Sequence, residues 1–133
     1  MSANLDLVRG IYADWERGDY ASADWVHPEI AFVKVDGPDP GTWEGLREMA
    51  RSWYETLSAW AEFRSEGDEY RELDAERVLV LTTFWALGKT SGLEIGQTSG
   101  QGASLFQFRD GKVFRLVLYW DRKRAFADLG LEE

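Results

Sequence analysis

Few side chains in this sequence can do chemistry at neutral pH, and their types exclude more than they allow. There is one histidine and no cysteine. Thiolate nucleophiles, disulfides and the usual histidine–cysteine zinc sets are therefore excluded. The acidic pairs Asp68-Glu69 and Glu132-Glu133 read as surface and tail, so no metal is expected. No cofactor is expected either, because the glycines around Gly100 lack the lysine and following helix of a phosphate loop. Ser104 and Thr83 can orient a ligand through their hydroxyls, but no histidine stands near either to make it a nucleophile. His27 invites any acid–base scheme, yet His27-Pro28 reads as a turn at a helix–strand junction.

Lys34 is more suggestive. It alternates with Ile30 and Phe32 on one strand face. Facing inward, it is a cation suited to a carboxylate or enolate oxygen, and desolvation lowers its pKa towards that of a base or nucleophile. The other reading lays its stem along a rim and its ammonium in water. Asp36 either pairs with Lys34 or shapes the turn that follows.

The elements that must position these groups begin with a helix. Leu5, Val8, Tyr12 and Trp15 recur every three or four residues, with Ser2 or Asn4 to cap the start and Gly18 behind the last turn. Asp19 is placed to cap a short second helix through about Val26. Ile30 to Val35 reads as a brief strand ending in the turn cluster Asp36 to Gly41. A longer helix from about Gly45 to Trp60 carries Leu46, Met49, Trp53, Leu57 and Trp60 on one face.

Strands follow. Ala61 to Tyr70 is weak, whereas Val78 to Leu87 is a nearly continuous apolar run, as in a central strand buried on both faces. Ile95 to Phe108 is the longest, reached through Gly88 to Gly92, and Gly96, Gly100 and Gly102 within it mark a bend or a close approach. Asp110-Gly111 signals a hairpin into Val113 to Trp120. A short capped helix from Asp121 to Leu129, with Gly130 behind it, closes the chain. Helices followed by four antiparallel strands give an α+β class with the helices on one face of a bent sheet.

The 133 residues suit a single domain spanning 1–133. No stretch approaches the roughly 20 apolar residues of a membrane span. Met1 to Asp6 lacks a basic and an apolar leader region, and with no cysteine the expected home is the cytoplasm. A net charge of −9 argues against nucleic acid as a partner. Seven tryptophans point to an aromatic core or an aromatic-lined cavity.

Several loose motifs occur in a telling order: Trp15-Glu16-Arg17-Gly18-Asp19, His27-Pro28-Glu29-Ile30, Trp43-Glu44-Gly45, Phe106 to Lys112, Tyr119-Trp120-Asp121-Arg122 and Leu129-Gly130-Leu131. Together they make the chain resemble the SnoaL-like, polyketide cyclase-like branch of the nuclear transport factor 2-like superfamily over nearly its whole length. The resemblance implies a cone: a curved antiparallel sheet wrapped around three N-terminal helices, a short C-terminal helix, and a pocket at the wide end. It also implies a homodimer packed through the outer sheet face. Activities in the superfamily are diverse, so the fold implies a cavity and not a reaction.

Strand alternation places Ile30, Phe32 and Lys34 inward, with Leu81, Thr83, Trp85 and Leu87, then Gly102, Ser104, Phe106 and Phe108, then Leu116, Leu118 and Trp120. Met49, Trp53 and Leu57 of the long helix and Tyr12 and Trp15 of the first join them. The candidate ligand-contacting set is Tyr12, Trp15, Phe32, Met49, Trp53, Thr83, Trp85, Ser104, Phe106, Leu118 and Trp120. It suits a small apolar or aromatic compound. Gln97, Ser99, Gln101 and Tyr119 alternate outward.

Ketosteroid isomerases of this fold use a carboxylate base with a tyrosine and a protonated aspartate as donors. The matching positions hold Lys34, Ile11 and Ser104, so that route is not expected here. The resemblance leaves Lys34 and Asp121 as catalytic candidates. Asp121 stands where cyclase-like relatives can carry an acid, and equally where a helix N-cap belongs. Three functions compete: a cofactor-independent cyclase, isomerase or dehydratase acting on a carbonyl compound, a non-catalytic small-ligand binder, and a dimeric accessory domain.

Overall fold

The computed structural model describes residues 3–19, 24–36, 40–88 and 97–131. Helix α1 (Ala3–Glu16) buries Val8, Ile11, Tyr12 and Trp15, the stripe its spacing implies, and Gly18 follows it at φ 82°. Strands β1 (Val26–Lys34) and β2 (Gly41–Glu44) precede helix α2 (Leu46–Ala59). Four long strands then run as a meander: β3 (Trp60–Asp74), β4 (Arg77–Gly88), β5 (Gln97–Arg109) and β6 (Lys112–Tyr119). Helix α3 (Arg122–Leu129) ends the fold.

The strands form one six-stranded curved sheet in the order β2-β1-β6-β5-β4-β3. The meander is antiparallel, as expected, but β1 joins β6 in parallel, which makes the sheet mixed. Asp110 and Gly111 turn the β5–β6 hairpin at φ 55° and 78°, the left-handed pair of a type I′ turn. Among the described residues, no helix is long and apolar enough to cross a membrane.

The core has two layers, one on each side of the sheet. On the inner side α1 and α2 pack against Ile30, Phe32, Val78, Val80, Phe106 and Leu116. On the outer side α3 lays Ala125 and Phe126 over Leu79, Leu81, Ala103, Leu105 and Val117. The helices are thus not confined to one face, because β4, β5 and β6 are apolar in both directions and the outer side also needs a cover. Two apolar layers explain why Val78 to Leu81 reads as an unbroken run.

Other elements also depart from the sequence reading. β1 starts at Val26, before the strand expected from Ile30, and its register shifts between Val26 and Ala31. That bulge holds His27-Pro28, where proline cannot donate to a ladder. His27 Nδ1 accepts the N–H of Glu29 at 3.0 Å, so the one imidazole is engaged in the bulge. The short helix expected from Asp19 to about Val26 falls on residues 20–23, outside the described residues, although Val26 itself is strand. Gly96 and the connection 89–92 also lie outside them.

Gly102 explains part of the bend. A Cβ there would stand 2.4 Å from the Tyr119 carbonyl oxygen, so only glycine lets β5 and β6 approach. Across the same corner Arg122 donates to the carbonyls of Thr82 and Gly102 at 2.6 and 3.2 Å and to Asp68 at 3.1 Å. Asp68 sits in a β3 register shift between Gly67 and Glu69. One guanidinium therefore ties β3, β4 and β5 to the start of α3 where the sheet turns.

Candidate functional site

The helices do not fill the concave side completely. Tyr12 and Trp15 of α1, Trp53 of α2, Phe63 and Ser65 of β3, and Thr82 and Phe84 of β4 surround a cavity of about 70 Å³. Ala103 and Ser104 of β5, Leu118 and Tyr119 of β6, and Trp120 beyond β6 complete its lining. Most of this surface is aromatic. Trp15 and Trp53 face each other with ring centroids 5.1 Å apart, and Phe84 meets Trp120 edge-on at 4.6 Å.

Its polar groups are hydroxyls. Tyr12 donates its phenolic proton to Ser104 Oγ at 2.8 Å across a buried gap. Thr82 and Ser104 are 5% and 4% exposed, so both hydroxyls are held away from bulk water. No carboxylate, lysine, arginine or histidine belongs to the lining among the described residues. Tyr70 packs edge-on against Tyr12 at 6.0 Å. Burial, and then the Glu16 carboxylate, raise the Tyr70 phenol above its ordinary pKa, so this ring stays neutral at physiological pH.

Of the ligand-contacting candidates, Tyr12, Trp15, Trp53, Ser104, Leu118 and Trp120 line this cavity. Phe32, Met49 and Phe106 lie behind it in the same inner core: Phe32 against Trp53 at 5.5 Å, Phe106 against Tyr12 at 6.1 Å. The inward placement along β4 is corrected by one residue. Thr82 and Phe84 line the cavity. Leu81 packs in the outer layer, Thr83 bonds Asp68, and Trp85 and Leu87 are 40% and 44% exposed. The run is apolar on both faces, so hydrophobicity alone cannot choose its register. Register to the glycine strand does choose it: Thr82 pairs with Gly102 and Phe84 with Gly100. Phe63 and Ser65 were missed because β3 reads as a weak strand.

Ser99, Gln101 and the ring of Tyr119 lie on the outer side, Tyr119 within the layer under α3. The side chain of Gln97 lies outside the described residues. Lys34 is 6% exposed, so its ammonium does not reach out along a rim to open water. It lies over the Trp43 ring at 4.9 Å and near Phe32 at 5.9 Å. Its register partner on β6 is Leu118, a lining residue. Asp36 accepts the N–H groups of Trp120 and Asp121 at 2.6 and 3.2 Å, latching the end of β1 to the end of β6. Asp121 is exposed and its carboxylate accepts the N–H of Lys123, the geometry of an N-cap.

The SnoaL-like domain family matches residues 8–116, and the chain belongs to that family. No curated protein matches it. Among solved structures it is similar to an NTF2-like protein of unknown function from Burkholderia pseudomallei, 22% identical, with 96% of this chain and 97% of that one covered and a TM-score of 0.76. TerC, co-crystallised with polyporic acid, is 21% identical over 96% of this chain and 98% of that one, with a TM-score of 0.73. A Xanthomonas campestris protein of unknown function with a cystatin-like fold is 18% identical, covering 94% and 95%, with a TM-score of 0.76. At these identities the likeness establishes the fold alone.

Proposed function

We propose that this SnoaL-like chain binds a small, mostly apolar compound bearing a carbonyl or hydroxyl group, held between α1, α2 and the inner sheet face. The observation that carries the reading is the lining, in which aromatic rings surround the Tyr12–Ser104 hydroxyl pair with Thr82 beside it. Rings supply apolar contact, and a few fixed hydroxyls orient the guest. An anion would meet no counter-charge among the described lining residues, so an uncharged ligand is favoured. General acid–base catalysis needs a titratable group within reach of the reacting proton. With no carboxylate, lysine, arginine or histidine among the described lining residues, a carrier or sensor is the reading favoured over an enzyme. The co-crystal of TerC with polyporic acid supports a small-molecule guest for this fold.

Tryptophan emission tests the reading, since Trp15, Trp53 and Trp120 face the cavity. A panel of phenols, terpenoids, steroids and polyketides is expected to include a compound that quenches or shifts it. A spectrum unmoved by the whole panel contradicts binding and leaves an accessory domain.

One observation favours a second, enzymatic reading: the buried Lys34 stands in register with a lining residue. A cofactor-independent cyclase, isomerase or dehydratase on a carbonyl compound would use that cation near an enolate oxygen, with Asp121 as the acid. Lys34→Met and Asp121→Asn test it. Full turnover by both variants on a discovered substrate removes these roles. The homodimer belongs to either reading, with the exposed Trp85 and Leu87 on the outer face as its contact.

A further inference from the structure

The cavity is smaller than the compounds its walls suit. At about 70 Å³ it has roughly half the volume of the ~150 Å³ apolar cavity that holds one benzene ring. An aromatic guest enters only if a wall yields. Tyr12 is poorly placed to yield: it is 1% exposed, packed edge-on against Trp15, Tyr70 and Phe106, and bonded to Ser104. Trp15 is wedged against Trp25, Trp53 and Phe106.

Phe84 sits differently. Its strand neighbours in register are Ser65 on β3 and Gly100 on β5. A methyl carbon at Gly100 would lie 3.1 Å from the tip of the Phe84 ring, so the ring rests on bare backbone. Trp120, itself half-buried and beyond the end of β6, meets the ring edge-on. Close-packed cores hold a ring through side chains on every side. Here the side towards β5 is a glycine, so the phenyl group faces bare backbone there and meets Trp120 on another side.

We infer that Phe84, seated on Gly100, is the movable wall of the cavity and sets the size of the guest it admits. The inference rests on the reading that the cavity binds a small aromatic compound. Phe84 is the specificity determinant, and Gly100 is the positioning residue that leaves its path clear.

Isothermal titration calorimetry with phenol and 2-naphthol tests this, because the two share a hydroxyl and differ by one ring. Phe84→Ala is expected to bind both compounds more tightly, because no wall then has to yield, with 2-naphthol gaining at least tenfold and phenol less. Phe84→Leu, a milder change that keeps the core filled, is expected to give an intermediate gain. Gly100→Ala should weaken phenol binding severalfold by pressing the ring into the cavity, yet change it less than twofold in the Phe84→Ala background, since the partner it acts through is gone. If phenol binds and neither Phe84 variant improves 2-naphthol binding, Phe84 is not the wall, and the binding reading survives. If neither compound binds any variant, the binding reading falls and this inference with it.

Discussion

Tyr12 and Ser104 are far apart in the chain and meet because α1 packs on β3 and β4 and the Tyr12 side chain reaches across to β5. Removing the phenolic hydroxyl leaves a serine that is 4% exposed without the donor at 2.8 Å. Tyr12→Phe should therefore cost about 1–3 kcal/mol, the range for stranding a buried polar group. Urea denaturation of Tyr12→Phe, Ser104→Ala and the double variant checks this. The double variant is expected to lose clearly less than the sum of the singles, and strict additivity would show that the two hydroxyls act independently. Both residues were legible in the sequence, Tyr12 from helical spacing and Ser104 from strand alternation. Their hydrogen bond was not, because nothing local in the chain says which turn of α1 faces which rung of the sheet.

Elements close this fold through their ends. Asp121 caps α3 and Gly130 ends it at φ 69°, as the sequence indicated. Asp121→Ala should lower stability by about 1 kcal/mol, seen as a fall in the denaturation midpoint. A change within error would mean that α3 is held by Phe126 and its neighbours alone. The β3–β4 turn carries a pH-dependent contact. The N–H of Glu76, and then the Arg77 side chain, hold the Asp74 carboxyl below its ordinary pKa of 3.8. A lowered folded pKa contributes stability above the unfolded value and loses it as pH falls through the folded one. The stability gap between the natural chain and Asp74→Asn is therefore expected to be constant near neutrality and to close below about pH 4. A gap that widens on acidification would contradict the geometry. Hydrophobicity alone fixes neither the facing of β4 nor the seat of α3. Leu79 and Leu81 look outward as firmly as Val78 and Val80 look inward, so the run announces a strand without announcing its facing. For the same reason the outer layer beneath α3 was not anticipated.

Among the described residues the molecule is a bent sheet with an apolar layer on each side, a cavity on the inner side, and Trp85 and Leu87 exposed on the outer. If these two seat a second copy, Trp85→Glu with Leu87→Lys should turn a dimer into a folded monomer in sedimentation equilibrium. A natural chain that is monomeric across the concentration range would remove that assembly. The bend was legible through Gly96, Gly100 and Gly102, but the volume of the inner space was not, because it depends on how far Phe84, Trp53 and Trp120 fall short of filling it. A crystal structure of the protein soaked in phenol measures this directly. Ordered density is expected for one ring between Tyr12, Trp53 and Trp120, its hydroxyl within hydrogen-bonding distance of Ser104 or Thr82. Side chains packed across that space at saturating phenol would contradict it.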